Sequence, residues 1–212
     1  MYARHLAVCC LLPLSIASGS SLPDASKDVV VYLKPAPGLS ASAVDEAKTE
    51  LASVMRAAGV NIAWWDPGRS SVLGTLVVAD FIGMCSVPAA PAEVADIGSL
   101  PPLAHTSTAD GRILPLTYVD CGTLSQVTGP ALVHLPMIQR EHMYGRAIGR
   151  LLAHEIYHIL AQTRDHAASG IAKMHFSAAD LLGTHFDFEP ATTAHMWGKS
   201  APSQAGRAFV GF

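Results

Sequence analysis

The sequence predicts an α+β fold, a mixed β-sheet packed with one long helix that carries the chemistry. Three observations predict it. Short runs of β-branched, aromatic and other apolar residues recur at 28–33, 61–65, 72–82 and 112–121, the signature of strands. Two other segments, 42–58 and 137–162, repeat their apolar residues with the 3.6-residue period of a helix. The second of these holds His154-Glu155-Ile156-Tyr157-His158 in its middle.

Taken in order, Asp28 to Leu33 reads as the first strand, and Pro35, Pro37 and Gly38 turn the chain after it. Ser42-Ala43-Val44-Asp45 resembles a capping box. It opens a helix whose apolar positions are Val44, Ala47, Leu51, Val54, Met55 and Ala58, and Gly59 ends it. Asn61 to Trp65 is a second strand, Asp66-Pro67-Gly68 a turn, and Val72 to Ile82 a buried third strand. Ser86 to Gly111, rich in Pro, Ala and Gly, reads as a long surface excursion. Arg112 to Cys121 is a strand interrupted by Pro115, which argues for a sheet edge. Met137 to Gln162 is the long helix, with Ile148, Leu152, Ile156 and Ile159 as its core stripe. Ser177 is expected to cap a last short helix over 178–182, and the tail from Thr192 is expected to be irregular.

The N-terminus has the order of an export signal. Arg4 precedes the apolar run Leu6 to Ile16, and small residues follow from Ala17 to Ser20. A run of about a dozen apolar residues suits a signal h-region and is too short for a bilayer span. Residues 1–19 are therefore expected to be a signal peptide and 20–212 one catalytic domain, secreted or periplasmic, without a membrane anchor. Cys9 and Cys10 leave with the signal, and Cys85 and Cys121 remain as an even pair, expected to form a disulfide. The net charge of −3 and the scattered basic residues speak against nucleic acid as a partner, and a monomer is expected.

On a helix, residues four apart lie on one face about 6 Å apart along the axis. His154 and His158 can therefore bind one metal ion, with Glu155 beside it. This is the pattern of a zinc hydrolase, in which Glu155 is the expected catalytic base acting on zinc-bound water. A catalytic zinc keeps three protein ligands. His166, just beyond the expected helix end, is the leading third; Asp165, Asp187 and Glu189 are weaker alternatives.

The stretch from Gly145 to Met174 resembles the metzincin metallopeptidases. In their pattern H-E-x-x-H-x-x-G-x-x-H, the Gly and third His would fall on Ala161 and Arg164; here the third His arrives two residues later, at His166. It is similar in this lengthened spacing to a group of uncharacterised exported bacterial proteins. The resemblance implies a zinc metalloendopeptidase acting on peptide or protein substrates, with His154, His158 and His166 as metal ligands. It also implies a Met-turn under the metal, for which Met174 in Gly170-Ile171-Ala172-Lys173-Met174 is the candidate. The alternatives are a catalytically degenerate zinc-binding module and a zinc amidohydrolase acting on another amide.

Overall fold

A computed structural model describes residues 27–66, 68, 74–87 and 100–196. The expected signal peptide, residues 88–99 of the 86–111 excursion and the start of the expected third strand lie outside them. Among the described residues the chain is α+β, with a mixed five-stranded sheet and five helices.

Strand β1 (Lys27–Leu33) is the β-branched run and takes a central place, paired in parallel with β2 (Val60–Trp64) on one side and β3 (Thr75–Ile82) on the other. Parallel neighbours need a crossover. Helix α1 (Ala41–Ala57) supplies the one between β1 and β2, with Ser40 as its N-cap, two residues before the expected box. The sheet order is β2-β1-β3-β5-β4. β5 (Arg112–Asp120) runs parallel to β3, and β4 (Ala104–Ala109) runs antiparallel to β5.

This corrects the expectation for 112–121. The strand ends at Asp120 and is internal; the edge strand is β4, inside the segment read as an excursion. Pro115 is accommodated by a register shift. Thr106 pairs with Thr117 and Thr108 with Ile113, so β5 carries two more residues than β4 between these pairs, and pairing with β3 begins only at Leu116. A residue with no N–H fits such a bulge. The hairpin closes on Asp110 and Gly111, both at positive φ (50° and 75°), as a two-residue Asp-Gly turn favours.

Helix α2 (Cys121–Leu132) follows β5 directly, capped by Asp120, whose side chain accepts from the Thr123 N–H. Cys121, its first residue, forms the expected disulfide with Cys85 just after β3, with 4.8 Å between the Cα atoms and both side chains fully buried. Helix α3 (Met137–Ala161) is the long helix. Its stripe of Ile148, Leu152, Ile156 and Ile159 is buried, and so is the motif-bearing side, with His154, Glu155 and His158 at 5, 3 and 7% exposure. Helix α4 (Ala178–Leu182) has the expected Ser177 cap, completed by Asp180 as a capping box. It is not the last helix. α5 (Pro190–Met196) opens on a proline, which the first helical position tolerates because no N–H is needed there.

α3 lies hard against α1. A Cβ added to Gly145 would stand 2.3 Å from the Ala43 carbonyl oxygen, and one on Gly149 2.7 Å from that of Ala47. Beside this contact the buried Arg150 donates from Nε to Glu50 on α1 at 2.6 Å and from Nη1 to the Asp180 carbonyl at 2.6 Å. The site-bearing helix is thus fixed to α1 and to α4 by one guanidinium.

Two stability outcomes follow. Gly149→Val pushes on backbone rather than on a movable side chain, and should lower unfolding free energy by about 1–3 kcal/mol in denaturant titrations. Replacing both Cys85 and Cys121 with Ala opens a cross-link spanning 36 positions. Loop-closure entropy puts that loss at about 3–4 kcal/mol, measurable in the same titrations.

Candidate metal centre

The end of α3 decides the site. A helix that must stop and return over a few residues usually needs a residue in the left-handed region. Gly would be the ordinary choice; here Gln162 takes it, at φ 49°, ψ 39°. Its side-chain amide secures the turn, donating to the Ile159 carbonyl at 2.8 Å and to the Ile113 carbonyl of β5 at 3.1 Å. The chain then doubles back, and His166 stacks on His154 (ring centroids 5.3 Å apart) and lies edge-on to His158 (4.9 Å). Ala161 and the late His166 are therefore one arrangement: the turn moves one residue along, to Gln162.

One ring nitrogen each from His154, His158 and His166 lies within 4.8 Å of the others, and these three make the metal-competent group among the described residues. Asp165, Asp187 and Glu189 do not belong to it. Asp187 instead accepts the Ile171 N–H through its backbone carbonyl, and the Glu189 carboxylate accepts from the Ser169 hydroxyl.

The outer contacts determine the tautomers. His154 Nδ1 is 2.7 Å from the Ile171 carbonyl oxygen, and His158 Nδ1 is 2.7 Å from that of Thr163. A carbonyl only accepts, so both Nδ1 atoms carry the proton. Burial pushes His154 down to about 3, against its bond to Ile171, and burial likewise lowers His158 and His166. Neutral rings protonated at Nδ1 leave Nε2 as a lone pair. The Nε2 atoms of His154 and His158 are 3.0 Å apart, with no proton available to lie between them. A shared cation would satisfy both. Metal–nitrogen bonds of 2.0–2.1 Å in a tetrahedral site separate two ligand nitrogens by about 3.3 Å, so the pair is spaced for two ligands of one metal ion.

The Ile171 carbonyl is presented by a tight turn. Gly170 sits at φ 68°, where an added Cβ would be 2.6 Å from the Asp187 carbonyl oxygen. Ala167 N–H bonds the Ala172 carbonyl at 2.9 Å and Ile171 N–H that of Asp187 at 3.1 Å. The turn thus serves the metal centre through a backbone oxygen. Met174 does not form its floor: it is 61% exposed at the cleft, whereas Ile171 and Ala172 are fully buried. The apolar neighbour of the imidazoles is Phe176, edge-on to His154 at 5.1 Å.

Glu155 is buried beside the histidines and accepts from the Thr106 hydroxyl of β4 at 2.5 Å. Burial raises its carboxyl to about 7, opposed by the Thr106 bond. All four side chains open into a cleft of about 830 Å³, lined also by Leu103, Thr106, Val127, Leu151, His175 and Phe176. Among the described residues no helix is long and apolar enough to cross a membrane. Comparison with protein-family models, curated proteins and solved structures finds no match for this chain.

If these histidines are the ligands, metal analysis after dialysis should find one zinc per wild-type chain. His166→Ala should lose affinity by more than the roughly 10–100-fold typical of an outer partner, while Asp187→Ala keeps the metal. Zinc retained at wild-type affinity by His166→Ala would remove it from the site.

Proposed function

We propose that the protein is an exported zinc metalloendopeptidase of metzincin-like architecture, hydrolysing peptide bonds with Glu155 as general base. One observation carries the reading: a three-histidine cluster with one ring nitrogen of each converging, the Nε2 atoms of His154 and His158 in contact, and a buried carboxylate next to His154, at an open cleft beneath an edge strand. His154 and His158 would hold zinc through Nε2, since their Nδ1 atoms are engaged, and His166 would complete the set. When bound, zinc supplies Lewis acidity and brings the pKa of a coordinated water towards neutrality.

The chain's own residues account for the remaining steps. Glu155 would take the water's proton on a carboxylate oxygen and pass it to the leaving amine nitrogen as the C–N bond breaks. A carboxyl raised to about 7 by burial is matched to receiving and then releasing a proton near neutral pH. Among the described residues β4 pairs on one side only, with β5. Its other edge offers unpaired backbone groups to an extended peptide, the mode in which a substrate adds as a strand. The Cys85–Cys121 disulfide supports an oxidising compartment and accords with the N-terminal signal pattern.

Glu155→Gln preserves shape and removes the base. It should bind zinc as wild type does but hydrolyse an unfolded protein substrate about 10²–10⁴-fold more slowly. Full activity in this variant would overturn the mechanism, and an inactive wild type loaded with zinc would overturn the peptidase reading itself.

A further inference from the structure

We propose that Thr106 is a positioning residue for Glu155, assigning one carboxylate oxygen to structure and leaving the other for proton transfer; the proposal rests on the hydrolase reading. Glu155 is 3% exposed. A carboxylate offers about four lone-pair positions, and among the described residues its one side-chain hydrogen bond is from Thr106 Oγ1 to Oε2, at 2.5 Å. A buried carboxylate with a single donor is defined by that donor. Without it both oxygens are free and the group rotates about its last bond, whose torsion is broad.

The donor is well held. Thr106 belongs to β4, and its pair with Thr117 is the last before the register shift. Bulges re-aim side chains. Thr117 in turn donates to the His105 carbonyl at 3.2 Å, adding a side-chain bond to the hairpin at this point. On the far side of the shift the Ile113 carbonyl takes the Gln162 amide at 3.1 Å. The irregular stretch of the hairpin is therefore tied to α3 twice, at the acid and at the turn that returns His166. Thr also suits the place as a β-branched residue with few χ1 rotamers. Its hydroxyl reaches the carboxylate from the strand whose free edge would receive substrate, so the acid is oriented relative to that strand and not only to its own helix.

Three variants test this. Thr106→Val keeps shape and β-branching while removing the donor; Thr106→Ser keeps the donor; Thr106→Ala removes both, and serves if the valine variant does not fold. With zinc content measured in each, the donorless variants should lose about 10–100-fold in kcat with KM within about twofold, and Ser should restore most of it. As a readout independent of turnover, the Glu155 carboxyl bands, identified by their loss in Glu155→Gln, should shift in infrared difference spectra of the donorless variants and return with Ser. Wild-type kcat in Thr106→Val or Thr106→Ala, or equal losses in Val and Ser, would overturn the proposal. The hydrolase reading would be untouched, because its own failure shows as an inactive wild type.

Discussion

Two imidazole nitrogens 3.0 Å apart, each presenting a lone pair to the other, form an arrangement that the rest of the molecule has to support. Burial disfavours relief by a proton on either ring, since it lowers both below their ordinary range. Neither can turn over, because each Nδ1 proton is spoken for by a backbone carbonyl. The polypeptide thus keeps two acceptors in contact, which is unfavourable by itself and favourable once a cation enters. Both carbonyl partners lie in the return segment, at Thr163 and Ile171. The turn at Gln162 therefore does more than deliver His166: it also sets the orientation of the two histidines that precede it.

A site with so little freedom needs a stiff base. α3 has it through contact with α1, where Gly145 and Gly149 remove the side chains that would hold the helices apart. Arg150 joins Glu50 to the Asp180 carbonyl. Burial of a guanidinium is costly unless its donors are matched, and here two of them meet oxygens at 2.6 Å. The opposite wall, the β4–β5 hairpin, contributes no metal ligand but supplies the only partner for the Glu155 carboxylate among the described residues. The histidine cluster and the acid are positioned by different parts of the fold.

Much of this was legible from local pattern. The His154–His158 spacing, the long helix, the first strand, the Ser177 cap and the Cys85–Cys121 pair each depend on residues that carry their own signal, and the structure has each of them. The gaps have physical causes. β4 was hidden because the polar Thr106, Ser107 and Thr108 do not make an apolar strand pattern. The Asp110-Gly111 pair was a usable hairpin signal, and it would have moved the edge from β5 to β4. α2 contains Gly122, Gly129 and Pro130, which weaken its helical pattern; its stability comes from burial and the Asp120 cap. The left-handed Gln162 was unreadable, since glutamine has no preference for that region and is held there by bonds to Ile159 and Ile113. Thr106 was beyond reach for a similar reason: its meaning lies in a partner 49 positions away.

That difference in sequence distance bears on folding. His154, His158 and His166, and the carbonyls of Thr163 and Ile171, fall within residues 154–171, so the metal-binding cluster closes a short loop at small entropic cost. The Thr106–Glu155 bond requires the sheet to be assembled and docked first. Contacts of such different range form at different stages of chain collapse. A nascent or partly unfolded chain able to form the end of α3 and the turn after it would bring the three histidines together before the acid is held in place. The docking of the hairpin onto α3, the long-range contact, then completes the constellation.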